Sequence, residues 1–256
     1  MRTNIRKSTA TSKGADKSRV FESALLAAIA ISSIGGSGLL AANAAYADDG
    51  NGLVIPMYGW ESGHDEVIDA KNDNPGTEMI VVINPSNGPG ESEESHWADV
   101  IDDLQGEDIK VVGYVSTAYE GRSISEMKEE IDRYNDWYGA DGIFFDEVSP
   151  SAQSYYEELY DHVDDEVGMV VLNPGAEVPE SYEDVADIII VYENYGIPSG
   201  VTSNGISESK LGALPHGVDA SEAAFKELSD EVGYLYVSPD WMSIASTIYD
   251  QADWAD

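Results

Sequence analysis

Two apolar segments of this sequence each end in acidic residues, and these residues are the ones best suited to chemistry. Residues 141–147 (DGIFFDE) place Asp146 and Glu147 directly after an apolar run, and residues 188–193 (IIIVYE) place Glu193 in the same way. In parallel α/β folds the carboxyl ends of the strands lie on one rim, where variable loops surround the catalytic side chains. Paired carboxylates are what most glycoside hydrolases use, so these residues predict hydrolysis of a glycosidic bond.

The surroundings of these acids distinguish them from the other acidic residues of the chain. Adjacent acids also occur at positions 48–49, 93–94, 102–103, 129–130, 157–158 and 164–165, in polar or amphipathic surroundings that predict solvated side chains. At the end of a buried strand, by contrast, desolvation shifts the pKa of a carboxyl group and can separate an acid from a base or nucleophile. Because consecutive strand side chains point to opposite faces, we expect Asp146 to face inward, with Glu147 reaching the cleft from the rim or orienting a neighbour.

Six further side chains near the ends of the predicted strands are candidates for substrate binding. They are Tyr58, Asn84, Tyr114, Asn173, Asn194 and His216. Amides hydrogen-bond to sugar hydroxyls, and aromatic rings stack on the apolar faces of sugars. Ordinary packing of the rings, Asx turns at the asparagines and a structural role for His216 are the alternatives. No histidine pair has the spacing of metal ligands, so the sequence predicts neither a metal nor a cofactor.

A regular alternation of strands and helices would position the acids. Eight apolar runs predict strands at residues 53–60, 79–85, 109–117, 142–147, 168–175, 186–195, 211–216 and 233–239. Polar stretches predict helices at 64–72, 93–104, 125–138, 152–163, 220–231 and 241–251, with only short turns at 181–185 and 207–209. Eight βα units predict an α/β fold, a single compact (β/α)8 TIM-type barrel. A doubly wound sheet is the alternative, but residues 56–60 (PMYGW) are not the glycine-rich phosphate turn typical of that fold.

The first 47 residues differ from the rest of the chain. They combine six basic residues, an apolar stretch over 24–40 and the small-residue sequence AYA at 45–47. This order is typical of a secretion signal. We therefore predict a signal peptide at 1–47, a barrel domain at 48–256 and a secreted or cell-surface location, with no stable membrane insertion after cleavage. A retained membrane anchor is the alternative, although three glycines within 35–38 interrupt the apolar stretch.

The chain is strongly acidic. Of its 13 basic and 49 acidic residues, six and two lie in the first 47 positions, which leaves 7 and 47 and a net charge of −40 for residues 48–256. Such a surface repels nucleic acid and anionic membranes, so neither is expected as a partner. The acids are spread over every segment, which predicts a protein adapted to high salt, where charge repulsion is screened. Because the chain has no cysteine, its core alone must hold the fold.

Five segments, in this order, resemble the spherulin 4 family: residues 83–90 (INPSNGPG), 112–117 (VGYVST), 142–147 (GIFFDE), 171–175 (VLNPG) and 191–194 (VYEN). The resemblance implies a (β/α)8 barrel of glycoside hydrolase family 135, whose characterised enzymes cleave α-1,4-linked N-acetylgalactosamine in galactosaminogalactan-type polysaccharides. It carries the acidic residues of the family over to Asp146, Glu147 and Glu193. The region after Tyr195 matches poorly, so the resemblance specifies no substrate contacts on that side.

The residues and the resemblance together predict a secreted, monomeric hydrolase of a polysaccharide that contains N-acetylgalactosamine or galactosamine. Glu193 would protonate the leaving oxygen, while Asp146 would stabilise or attack the anomeric carbon, or orient a 2-acetamido group of the substrate. One alternative is a cell-surface protein that binds carbohydrate on the same barrel without turnover. A structural protein of the cell envelope is another.

Overall fold

Short runs of β-branched residues form the strands of a barrel in the computed structural model, which describes residues 50–58, 63–239 and 248–255. Eight parallel strands pair in chain order, and the last pairs with the first, so the barrel is closed. The strands are β1 (Gly52–Met57), β2 (Met79–Ile83), β3 (Lys110–Ser116), β4 (Gly142–Asp146), β5 (Met169–Leu172), β6 (Ile188–Tyr195), β7 (Leu211–His216) and β8 (Tyr234–Leu235). The predicted (β/α)8 barrel is therefore confirmed. The predicted leader at 1–47 lies outside the described residues.

Helices connect most of the strands. They are α1 (His64–Asp73), α2 (Ser95–Gly106), α3 (Ile124–Arg133), α4 (Gln153–Glu166), α5 (Glu222–Ser229) and α6 (Ile248–Ala255). A π-helical turn, Tyr134–Tyr138, continues α3. Between β5 and β6, and between β6 and β7, the chain forms only 3₁₀ turns at Glu180–Val185 and Glu208–Lys210, as the short polar stretches there predict.

The strands are buried on both faces, which explains their continuous apolar sequences. All five residues of β2 are buried, and so are the first four of β4 and of β6. One face of each strand lines the barrel interior and the other packs under the helices. Lys110 begins β3, and the other charged or amide side chains of the strands lie near their carboxyl ends, so the acids lie on the rim of an otherwise apolar barrel.

Gly113 in β3 allows the helical layer to approach the barrel closely. A Cβ at this position would lie 2.5 Å from the ring of Tyr134. The hydroxyl of Tyr134 donates a hydrogen bond to the backbone carbonyl of Tyr114, at 2.9 Å. Because Gly113 faces the helices, the next residue, Tyr114, faces the barrel interior. The glycine therefore helps to orient a side chain that contacts the acids.

Within the described part of the chain, no helix is both long enough and apolar enough to cross a lipid bilayer.

Candidate active site

Strand β4 delivers Asp146 to the inner side of the rim. Two residues earlier on the same face, Phe144 stacks against the ring of Tyr114, with ring centroids 6.4 Å apart. The Tyr114 hydroxyl donates to Asp146 Oδ2 at 2.8 Å, and Asn173 Nδ2 donates to Asp146 Oδ1 at 2.9 Å. Both carboxylate oxygens of Asp146 are thus held by side chains of the neighbouring strands.

Asn173 joins the acids of two strands that are not adjacent. It follows β5, lies between Asp146 and Glu193, and is only 2% exposed. Its Nδ2 donates to Glu193 Oε2 as well as to Asp146, while its Oδ1 accepts from the backbone amide of Gly175 at 3.1 Å. Because one nitrogen donates both hydrogen bonds, the two acceptor oxygens lie within about 6 Å of each other. The structure therefore brings Asp146 and Glu193 together through one buried amide.

The environments of the two acids differ in a way that matters for proton transfer. Burial raises the pKa of Asp146, and the charge of Glu147 adds to that shift. Three hydrogen bonds, from the Tyr114 hydroxyl, the Glu147 backbone amide and the Asn173 amide, oppose it by stabilising the carboxylate. Burial also raises the pKa of Glu193; only the Asn173 amide opposes that shift, and the charge of Asp146 adds to it. Of the two, Glu193 has the weaker stabilisation of its charged form, so it is the better suited to hold a proton.

Two tyrosines on the same side of the barrel stay protonated. Burial and the neighbouring acids raise the pKa of Tyr58 and of Tyr114 well above the usual value for a tyrosine. The two rings pack edge to face with centroids 5.5 Å apart. Tyr58, predicted as a substrate contact, is therefore placed beside Tyr114 and within electrostatic reach of both Glu193 and Asp146.

Glu147 lies next to this network because the strand ends at Asp146. Its φ of 54° is left-handed, which breaks the alternation of side chains along β4. The carboxylate of Glu147 accepts a hydrogen bond from the hydroxyl of Ser116, which follows Tyr114 by two residues on the same face of β3. Both adjacent acids thus reach the cleft side of the rim. Sequence reasoning missed Ser116, although its spacing from Tyr114 was a usable signal.

Three other predicted contacts lie outside the network formed by Tyr114, Asp146, Asn173 and Glu193. The Asn84 side chain accepts from the backbone amide of Gly88 at 2.8 Å and so closes a loop. Asn194 is exposed, and its side-chain oxygen accepts from the next backbone amide, at 2.8 Å. His216 packs edge to face against Tyr195, with centroids 6.3 Å apart.

Among the residues that the structure describes, no group of three or more His, Cys, Asp or Glu side chains is arranged to hold a metal ion. The absence of a metal and of a cofactor from the reaction stays a prediction.

A closed (β/α)8 barrel with partly buried, paired carboxylates at the carboxyl ends of its strands defines the class of this protein. Barrel enzymes act at this rim, where side chains from several strands meet. The chain belongs to spherulation-specific family 4, whose model matches residues 52–254. The family resemblance seen in the sequence is thereby confirmed.

Individual relatives agree with this membership. Spherulin-4 of Physarum polycephalum is 34% identical over 151 residues, which are 56% of this chain and 45% of that protein, so the match spans less than half of its length. The crystal structure of Aspergillus clavatus Sph3 in complex with GalNAc superimposes with a TM-score of 0.71 and 25% identity, over 80% of this chain and 97% of that chain. Tryptophan synthase from M. tuberculosis, at 11% identity and a TM-score of 0.51 over 81% of this chain and 93% of its own, shares the fold alone.

Proposed function

We propose that this protein hydrolyses internal α-1,4 bonds in a polysaccharide containing N-acetylgalactosamine. The observation that carries the proposal is the amide of Asn173, which holds the carboxyl groups of Asp146 and Glu193 together at the rim. The likeness to Sph3, whose structure was solved with GalNAc, supports the choice of sugar. The spherulin 4 resemblance supports the linkage.

The hydrogen bonds support a division of roles between the two acids. Glu193 would protonate the leaving oxygen, because burial and the charge of Asp146 favour its protonated form. Asp146 would face the positive charge that develops at the anomeric carbon, because the Tyr114 hydroxyl and the Asn173 amide both stabilise it as a carboxylate. Glu147, beside Asp146, would add negative charge to the same side of the cleft.

The separation of the two carboxyl groups distinguishes hydrolysis that retains the anomeric configuration from hydrolysis that inverts it. An inverting pair leaves room for a water molecule with carboxyl groups about 6.5–9.5 Å apart, whereas a retaining pair is separated by about 5–5.5 Å. The shared Asn173 amide keeps the two bonded oxygens of Asp146 and Glu193 within about 6 Å. In a retaining reaction the nucleophile would be either Asp146 or a 2-acetamido group that Asp146 orients.

Substitution of each acid tests the proposal. Asp146→Asn and Glu193→Gln should each lower the release of reducing ends from α-1,4-linked N-acetylgalactosamine polymers by about 10³-fold, because each removes a group that acts in the transition state. Circular dichroism should show an intact fold in both variants. Asp164→Asn and Glu157→Gln, at exposed positions of α4, remove the same charge and serve as controls. Wild-type rates in either active-site variant would contradict the assignment.

Carbohydrate binding without turnover is the second candidate, and the solved complex of Sph3 with GalNAc favours it as far as binding is concerned. A binding protein gains nothing from two carboxyl groups that burial destabilises in their charged form, which favours hydrolysis. The polymer assay separates the candidates: binding by the wild-type protein without any release of reducing ends would select the second.

We also propose that the protein is secreted, on the basis of the basic and apolar leader at residues 1–47. Protein recovered from the culture medium should begin at Asp48. Retention of the full chain in the membrane fraction would contradict this cleavage.

A further inference from the structure

Two tyrosines on the rim are far more exposed than the other large hydrophobic side chains of the described residues. Tyr119 is 62% exposed and Tyr195 is 74% exposed. Exposed tyrosines present one broad apolar face to solvent, and such faces bind the apolar faces of sugar rings. Exposure alone carries little weight, since single exposed hydrophobic residues are common. The positions of the two tyrosines and the contacts that hold them are more informative.

The two tyrosines lie at the two ends of the part of the rim that carries the acids, which runs from β3 to β6. Tyr119 follows β3, Asp146 ends β4 and Glu147 follows it. Asn173 follows β5, and Tyr195 ends β6 two residues after Glu193. Strands β3 and β6 are three strand spacings apart around the barrel, on the order of 14 Å. This separation is longer than one sugar ring. A ligand that contacts both tyrosines must therefore be a chain of several sugars.

Tyr119 is held by a strained loop. Ala118, Tyr119 and Glu120 have φ values of 47°, 52° and 71°, so three consecutive residues other than glycine adopt left-handed backbone. Such conformations are costly and persist only where the surroundings enforce them. Here the backbone amide of Tyr119 donates to the carbonyl of Glu147 at 2.9 Å, and the amide of Ala118 donates to Ser116 Oγ at 3.2 Å. The same two residues, Ser116 and Glu147, border the acids, so Tyr119 is fixed relative to them.

The Tyr195 ring packs against residues at the carboxyl end of the next strand, β7. The ring lies against Gly217, where a Cβ atom would overlap the ring, and packs edge to face against His216. Gly217 has a φ of +70°, which also favours glycine. The ring is thus held on one side, while most of its surface stays open to solvent.

We propose that Tyr119 and Tyr195 are two sugar-stacking sites, one on each side of the acids, which bind successive units of the polysaccharide chain. This inference rests on the proposed function. Stacking suits the charge of the protein, because apolar contacts do not weaken in high salt as ionic contacts do. It also accounts for the exposure of the Tyr119 ring, which the hydrogen bonds of the loop backbone to Ser116 and Glu147 do not require.

Length-dependent binding tests the proposal. The probes are the monosaccharide N-acetylgalactosamine and α-1,4-linked oligosaccharides of increasing length, titrated calorimetrically into the Glu193→Gln variant, which keeps the cleft but should not cleave. Adding Tyr119→Ala or Tyr195→Ala should each weaken binding of the long oligosaccharides by about 5-fold. Binding of the monosaccharide should be unchanged. Tyr119→Phe and Tyr195→Phe keep the ring and should bind within about 2-fold of the parent.

The outcomes separate this inference from the proposed function. Equal loss of binding for the monosaccharide and the long chains, or no loss for either, would overturn the stacking sites. The proposed hydrolysis would still hold if the wild-type protein releases reducing ends. Ring-dependent binding of long chains by a wild-type protein that never cleaves them would support the stacking sites and overturn hydrolysis. A wild-type protein that neither binds nor cleaves any of the probes overturns both.

Discussion

Asn173 is the residue on which the pair of acids depends most directly. Its buried amide donates to Asp146 and to Glu193, and both bonds favour the charged carboxylates. Asn173→Ala should lower kcat by about 10²-fold, because loss of the amide frees both acids to move. The pH profile of kcat/KM should also shift to higher pH, since each carboxyl loses a group that lowers its pKa. Asn72→Ala, an exposed position of α1, is the matched control.

A drop in kcat with an unchanged pH profile would show that Asn173 acts only through packing and does not set the pKa of the acids. The profile is therefore the informative readout. The titratable groups that surround the pair, and that must be kept in every variant, are Tyr58, Tyr114 and Glu147.

Burial of Glu193 also predicts an effect on stability with a defined sign. Because burial raises its pKa, the folded protein binds this proton more tightly than the unfolded chain, and stability is lost as pH rises above the unfolded value of about 4.3. Glu193→Gln removes that cost, so at neutral pH it should stabilise the fold by roughly 1 kcal/mol, or about 2–4 °C in Tm. The gain should vanish below about pH 4. Glu157→Gln should show no such gain, and a destabilised Glu193→Gln at neutral pH would contradict the reasoning.

At the scale of the elements, the contact between β3 and the π-helical turn after α3 determines where Tyr114 points. Gly113→Ala would force a Cβ into the ring of Tyr134, 2.5 Å away, and should destabilise the protein by about 1–3 kcal/mol in urea unfolding. Activity should fall as well, because Tyr114 holds Asp146. Gly106→Ala is the control: nothing lies within 4 Å of a Cβ there, and the substitution should be neutral or slightly stabilising. Equal changes in stability for Gly113→Ala and Gly106→Ala would contradict the packing argument.

At the scale of the whole molecule, the charge is almost entirely uncompensated. All seven basic residues of the barrel segment already contact an acidic side chain or a backbone carbonyl: Lys71, Lys110, Arg122, Lys128, Arg133, Lys210 and Lys226. Most of the acidic residues therefore repel one another with no cation nearby. This imbalance makes stability depend on screening by salt.

Raising NaCl from about 0.01 M to about 1 M shortens the Debye length from about 30 Å to about 3 Å. We expect a gain of several kcal/mol, which corresponds to a rise of about 10 °C in Tm by differential scanning calorimetry. Sucrose is the control for effects other than screening, because it is excluded from the protein surface and carries no charge. A Tm that does not change with salt would contradict the predicted adaptation.

The barrel could be predicted from the sequence because the same pattern, an apolar run that forms a strand, recurs eight times. Strands of a closed parallel barrel are buried on both faces, so each appears as an apolar run, and eight such runs leave few alternatives. The first run was predicted to extend to residue 60, whereas β1 ends at Met57. Polar residues at the ends of the runs were equally visible, and they placed Asp146, Glu147 and Glu193 on one rim.

The sequence by itself therefore determined the barrel, its acidic surface and the strands that carry the acids, because burial of whole strands leaves a direct record in residue type. Only the tertiary structure decided which asparagine joins the acids: Asn84, Asn173 and Asn194 all follow or end strands, yet Asn173 alone among them lies between Asp146 and Glu193. The left-handed turn that carries Tyr119 likewise depends on hydrogen bonds to Glu147, 28 positions away along the chain. Contacts of this kind follow from closure and register of the barrel, which no local pattern of residues records.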